Sequence, residues 1–409
     1  MDLLKEGIVQ GFVIQTNQTK KISVDGITET LPVYKVKLDF LFFNDQNDRI
    51  ATWISKYKTE NKISAFNIED RENYNNVVQE FIEESNPAAM KKTQANIKQF
   101  NQLEAGVVLK DGRIIDGNRR FSCLRNLSKN DVKFGYFETV ILDKDLVKST
   151  KYIKMLELLL QHGIEAKVDY NPIDRLVGIY NDIIENELLT IKEYTESSGI
   201  SENELKRQIE VAKLMVEFLE FIEKPKCFHI ARDLELSGPL EELQKIIKKM
   251  NDEHQIENIK LIAFAQLLAK PEGDITRYVR NKIGNIAKSD YIDEFIEEQL
   301  NLVEEVVEKI NDFEKTPETI SEVKVVEKIR NDLEIKEKLE KSVIKYDEKV
   351  KITSIREQPL SILKKIIEQI EVIDLNIFSK LTDTQKSEIN EQTKILISKV
   401  NKIEEELFN

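Results

Sequence analysis

Strand-forming runs stop at about residue 150 of this 409-residue chain, and the rest of it has helical periodicity. Before that point β-branched and aromatic residues cluster. Gly7 to Gln15 (GIVQGFVIQ) and Val33 to Phe43 (VYKVKLDFLFF) read as strands, with turns expected at Asn17-Gln18-Thr19-Lys20 and Asp25-Gly26. Val107 to Lys110 and Arg113 to Ile115 form a predicted hairpin around Asp111-Gly112, and Glu138 to Leu142 supplies another strand. Ala51 to Lys58 and Tyr74 to Glu83 have helical spacing.

Past residue 150, Tyr152 to Gln161 reads as a helix, and Asn171-Pro172 opens another with Asn as cap and Pro in the first turn. Thr190 to Ser197, the turn Ser198-Gly199-Ile200-Ser201 and Glu202 to Leu214 read as helix, turn, helix, with Ser201 and Glu204 marking the second start. Only 13 Gly and 8 Pro punctuate the chain, half or less of the usual ~7% and ~5%, so long helices are expected. Two apolar seams have heptad-like spacing: Ile292, Ile296, Leu300, Val303, Val307 and Ile310, then Ile389, Thr393, Leu396, Val400, Ile403 and Leu407. The expectation for both is helix faces packed within one bundle, because the second seam is only about three heptads long. The fold class expected is an α+β N-terminal domain followed by all-α helical domains. Their bounds are residues 1–150, a helix-turn-helix-like 151–230, and a helical C-terminal 231–409.

The hydrophobic content of 41% supports a core and argues against wholesale disorder. The two cysteines, Cys123 and Cys227, lie far apart, and His162, His229 and His254 are scattered, so no structural-zinc spacing exists. No run approaches the ~20 apolar residues of a membrane helix. The N-terminus does not read as a signal peptide, and a reducing cytoplasm is expected.

The net charge of −13 opposes wrapping of nucleic acid by a basic surface. It is unevenly spread. Between Lys91 and Lys133 ten basic residues face four acidic ones, a local +6, which leaves −19 elsewhere. Inside that segment lies Ile114-Ile115-Asp116-Gly117-Asn118-Arg119-Arg120-Phe121-Ser122-Cys123-Leu124-Arg125. A strand ends at Asp116-Gly117 and a helix starts at about Asn118. Gly117 allows close backbone approach, the first amides of a helix favour an anion, and guanidinium forks match phosphate. The alternative for this stretch is a solvated basic helix face beside a structural Asp-Gly turn.

The box DGNRRFSCLRNL resembles the ParB/sulfiredoxin superfamily, in which a strand leads into a DG-x-x-R or GERR-type box and the next helix. Upstream, Phe40-Leu41-Phe42-Phe43-Asn44-Asp45-Gln46-Asn47-Asp48-Arg49-Ile50 resembles the superfamily's first box, a strand ending in an Asn-rich turn followed by Arg. Downstream, Asp169-Tyr170-Asn171-Pro172-Ile173-Asp174 resembles the D-L-N-P-I-E stretch that opens the central helices of ParB-type proteins. The resemblance covers roughly residues 33 to 215. It implies a pocket for CTP or ATP with Mg²⁺, in which Gly117, Asn118, Arg119 and Arg120 hold phosphates, Arg49 braces them, and Asp116 positions the loop or helps bind the metal.

The departures are specific. Asn118 stands where sulfiredoxins carry their reactive Cys, so that chemistry is not expected, and Cys123 is expected to pack in the core. Asn47 stands where ParB proteins have a Gln linked to hydrolysis, so Asn47 and Asp116 are the catalytic candidates. The superfamily's metal box is not recognisable near Gln161, His162 and Glu165, which could substitute for it.

The reading carried forward is a nucleotide-binding, DNA-associated protein, a nucleotide-dependent switch of the kind the resemblance places in plasmid, phage or defence settings. Lys206, Arg207, Gln208 and Lys213 are the candidate DNA contacts, although Glu202, Glu204 and Glu210 share their helix. The C-terminal helices are candidates for self-association or a protein partner. One alternative is a metal-dependent nuclease or phosphotransferase using Asp116, Glu138, Asp143 and Asp145. The other is a helical interaction scaffold with a vestigial pocket.

Overall fold

The computed structural model describes residues 2–24, 27–142, 150–162, 171–314 and 323–407. The chain divides into two compact units, Met1–Tyr346 and Asp347–Asn409. The larger unit begins with a five-stranded sheet: β1 (Val13–Val24), β2 (Ile27–Lys37), β3 (Gly106–Leu109), β4 (Ile114–Asp116) and β5 (Tyr136–Leu142). The order is β1-β2-β5-β3-β4, antiparallel throughout except for β3 beside β5.

The first strand differs from its sequence reading. Leu3–Gly7 wind a π-helical turn capped by the Asp2 carboxylate, and the strand starts at Val13. Asn17 to Lys20 do not turn. They continue β1 through a register irregularity between Gln15 and Thr19, and the Thr16 hydroxyl donates to Val33 O at 2.8 Å. A bulge absorbs the extra residues while both flanks keep their pairing to β2. The second strand stops at Lys37, because Leu38–Phe40 close a 3-10 turn.

The sheet is covered on both faces. On one lie α1 (Ala51–Asn61), α2 (Arg71–Ser85), α3 (Pro87–Phe100) and α4 (Asn118–Ser128), which enclose Val36, Val108, Ile114 and Phe137. On the other, Ile153, Leu156 and Leu160 of α5 (Thr150–His162) pack on Val33, Val107, Leu109 and Val140. Strand β3 is therefore buried on both sides, as its unbroken Gly-Val-Val-Leu run requires. Helix α3 has no counterpart in the sequence reading. Its signal was the pair Asn86-Pro87, where the Asn86 side chain accepts from Ala89 N at 2.9 Å and Pro occupies the first turn.

Mostly helical segments follow. Helix α6 (Pro172–Ile179) starts at the Asn171 cap, and α7 (Ile191–Ser198) starts in a full capping box between Thr190 and Glu193. Helix α7 ends at Gly199, whose φ of 72° makes the turn into α8 (Glu202–Phe221), which runs on past the expected end at Leu214. The seam starting at Ile292 lies on the helix Ile292–Glu314 and buries Ile292, Ile296, Val303 and Ile310, as a bundle helix should. The second seam does not. The helix Asp383–Leu407 has no buried residue, and its Ile389, Val400, Ile403 and Leu407 are exposed.

A buried ion cluster fastens the sheet layer to the helices. The Lys154 ammonium of α5 binds the Asp48 carboxylate and lies 3.3 Å from Asp182 and 3.9 Å from Glu157. Asn44 donates to Glu157 at 3.4 Å. All four charged side chains are buried. Burial pushes Asp182 up to about 7, against the pull of Lys154, and the surrounding carboxylates hold Lys154 protonated in spite of its own burial. Gly178 of α6 makes room for this, since a Cβ there would sit 2.5 Å from the Asp48 carboxyl carbon. Nearby, Asp174 accepts from Thr52 N at 3.0 Å, and burial pushes its carboxyl up to about 6.

Lys154→Met should leave the carboxylates without their cation and lower stability by about 3–5 kcal/mol, read from urea unfolding at neutral pH. Folded Asp174 holds a proton that the unfolded chain has released, so its contribution to stability falls as pH rises from about 4 to about 6. Asp174→Asn keeps the acceptor for Thr52 N and flattens the unfolding midpoint across that window; an unchanged slope would assign the pH dependence elsewhere.

Candidate phosphate-binding site

The sheet edge explains how the DGNRR box meets the upstream box. Strand β4 is three residues long and ends at Asp116. Beside it runs Phe42, whose N–H donates to Gly112 O at 3.0 Å and whose carbonyl accepts from Ile114 N at 2.9 Å. Phe43 then packs edge-on against Phe121 of α4, with ring centroids 4.8 Å apart, and Phe121 does the same to Phe137 at 6.0 Å. This aromatic stack ties the segment that leads into the turn Asn44–Ile50 to α4. The third box joins through Asp174, which anchors the start of α6 on Thr52.

Helix α4 begins without a side-chain cap. Gly117 occupies the cap position with φ +103°, and a Cβ there would meet the Phe137 ring at 2.8 Å, so only glycine fits. The first amides of α4 are thus left to an external acceptor. Asn118 follows. It is 8% exposed, and its Oδ1 has no hydrogen-bond partner among the described residues.

The two arginines of the box differ. Arg120 is committed: it binds the Glu104 carboxylate and donates to Asp116 Oδ2 at 3.0 Å, and Lys20 lies 3.8 Å from both acids. This cluster holds the Asp116-Gly117 loop down. Arg119 makes no hydrogen bond or ion pair with any described residue. Burial, then the like charge of Arg49, and last that of Arg120, hold its guanidinium below the ordinary value. A half-buried cation facing cations is an electrostatic fault that an anion would repair.

The remaining sequence candidates have other partners. Asn47 caps its own turn, accepting from Arg49 N at 3.1 Å, and Asp116 is taken by Arg120. Cys123 is buried near Met90 O at 3.7 Å, and burial pushes its thiol up to about 12, so it packs rather than reacts. Lys206 binds Glu202 at 2.6 Å and Lys213 binds Glu210 at 2.8 Å. Arg207 binds Glu204 at 2.7 Å and Glu241 at 3.1 Å, and Gln208 donates to Glu204 at 2.7 Å. All four candidate DNA contacts on α8 are therefore spoken for by carboxylates. Glu138 pairs with Lys35 at 3.5 Å. Asp143, Asp145 and the side chains of Gln161, His162 and Glu165 lie outside the described residues.

Among the described residues no group of three or more His, Cys, Asp or Glu side chains is placed to hold a metal ion. The set at α4 fits Mg²⁺ only as a phosphate-borne, hydrated ion, with Asn118 Oδ1 as an oxygen to receive it. Sequence reasoning missed the Lys154 cluster beside this site. Its signal was the pair of charged residues Lys154 and Glu157 within the otherwise apolar run Tyr152 to Leu160. No protein-family model matches the chain, and no curated protein matches it.

Gly117→Ala tests how the loop is built. Its strained φ and the contact with Phe137 should displace the start of α4 and lower stability by about 1–3 kcal/mol, whereas an exposed control such as Gly199→Asn should cost less. Equal effects in thermal unfolding would show that Gly117 carries no special constraint.

Proposed function

We propose that this protein binds a nucleoside triphosphate, CTP or ATP, through its phosphates at the start of α4, with Mg²⁺ carried on those phosphates. The observation that carries the reading is Arg119, half-buried beside Arg49 with no acidic partner among the described residues. Arg119 and Arg49 would neutralise the phosphate charge, and the uncapped amides after Gly117 would donate to its oxygens. Asn118 would offer Oδ1 to a water of the metal. Arg120 would act indirectly, by pinning Asp116 and with it the loop. Mg²⁺, when bound, supplies charge neutralisation on the phosphates.

Hydrolysis is not part of this reading, because Asn47 and Asp116 each have a structural partner. Nor does it extend to DNA through α8, whose basic side chains would have to leave their carboxylates first. The reading is of a nucleotide-responsive binding protein.

Calorimetry with CTP, ATP, GTP and UTP, with and without Mg²⁺, tests it. Binding of CTP or ATP is expected, tighter with Mg²⁺. Arg119→Ala should weaken it at least about tenfold, or ~1.4 kcal/mol, while Lys206→Ala leaves it unchanged. Folded protein that binds none of the four removes the proposal.

A further inference from the structure

Residues 85–103 hold three lysines and no acid, in a chain where 74 of 409 residues are acidic and a stretch this long would carry about three. They form α3 and the start of the loop after it. One side of α3 is committed to the fold. Met90 and Ile97 are buried in the core that α4 shares, and Cys123 Sγ of α4 lies 3.7 Å from Met90 O. The other side carries Lys91, Lys92, Ala95, Asn96, Lys98 and Gln99, all exposed. Lys91, Ala95 and Lys98 have the i, i+4, i+7 spacing of one stripe, and Lys92, Asn96 and Gln99 form the stripe beside it. The ammonium groups of Lys91, Lys92 and Lys98 make no hydrogen bond or ion pair with any described residue. The lysines of α8 are the contrast, since Lys206 and Lys213 each hold a carboxylate, at 2.6 and 2.8 Å. Phe100 ends α3 four residues after Asn96, and it is 52% exposed.

We infer that the outer face of α3 binds single-stranded nucleic acid. Lys91, Lys92 and Lys98 supply cations for the phosphates that no carboxylate of the chain has claimed. The amides of Asn96 and Gln99 each offer a donor and an acceptor to base edges. Phe100 offers a bare ring on which an unpaired base stacks. That ring argues against a duplex, whose bases are already stacked on one another. A lipid surface calls for a broad apolar face, and the exposed face of α3 carries Ala95 and amides where large apolar side chains would have to be. An acidic protein segment would use the lysines and leave the amides and the ring unexplained. The net charge of −13 confines the site to this face, a footprint of about 4–16 nucleotides. None of the residues assigned to the phosphate site at α4 is used, so the two proposals stand or fall separately.

Fluorescence anisotropy on the full chain tests this, with labelled oligothymidine and oligouridine of about fifteen nucleotides, the oligothymidine–oligoadenosine duplex of the same length, and polyglutamate as competitor, at about 50 mM salt. Binding of either single strand is expected, at least about tenfold tighter than binding of the duplex. Its logarithm should fall with the logarithm of salt concentration with a slope of about −2, the value for three phosphate contacts on a single strand. Lys91→Glu combined with Lys98→Glu should weaken it at least about tenfold. Phe100→Ala should weaken it about tenfold on single strands alone, and Lys206→Glu should leave it unchanged. All of these side chains are exposed, and an unaltered thermal unfolding midpoint confirms that the variants are folded. A folded chain that binds neither strand overturns the proposal. So does a duplex bound equally well, a Phe100→Ala variant with unchanged affinity, or polyglutamate that displaces the strand at matched charge.

Discussion

The Lys154 ammonium is the interaction on which the placement of the other elements depends. It sits on α5, the helix that covers one face of the sheet, and binds Asp48 from the turn after the Phe40 to Phe43 segment and Asp182 from the helical region. Three carboxylates surround one cation, so the cluster does not neutralise itself. Burial answers by raising Asp182 until it titrates near neutrality. A hydrophobic replacement of the whole set could be as stable. What the ions add is geometry, since Asp48 reaches Lys154 only with its carboxylate against Gly178. Sheet, turn and α6 are thereby held at one separation.

A pair of adjacent arginines shows how a single helical step separates a cation paired with carboxylates from one that has no such pair among the described residues. Arg120 points back toward the strand ends, where Glu104 and Asp116 meet it. Arg119 is half-buried and feels the like charges of Arg49 and Arg120. Both belong to a basic segment in an acidic chain, and charge counting alone would have treated them alike. Burial and the identity of each neighbour separate them. The same test applied to α8 gives the opposite result, because each basic side chain there found a carboxylate one helical turn away or on a neighbouring helix.

Much of the fold was legible in the sequence, for local reasons. The hairpin at Asp111-Gly112, the Asn171-Pro172 start, the Thr190 and Ser201 caps and the return of helical periodicity all depend on nearest neighbours. Asn17 to Lys20 misled because turn-type residues at a bulge look like turn residues at a hairpin, and only the pairing of Thr19 with Pro32 distinguishes them. The C-terminal seam misled for a related reason. A heptad spacing says that a face seeks a partner and does not say which. The position of the box Gly117 to Arg120, at a strand end and a helix start, was legible through its residue types. The different roles of Arg119 and Arg120, and the convergence with Arg49, rest on the long-range pairing of Phe42 with β4 and the packing of Phe43 on Phe121.

The turn Asn47–Ile50 joins the two systems. Asp48 faces the Lys154 cluster, and Arg49, the next residue, lies beside Arg119. Under the proposed function, an anion bound at Arg119 would offset the like charge that Arg49 exerts on it, and so would favour the position of the turn that also seats Asp48 on Lys154. Ligand affinity and the stability of the contact between sheet and helices would then rise together, as linkage requires of anything that binds only the assembled state. Asp48 and Arg49 are adjacent in the 3-10 turn Asp48–Ile50, so the residue that seats the ion cluster and the residue whose charge acts on Arg119 share one short stretch of backbone.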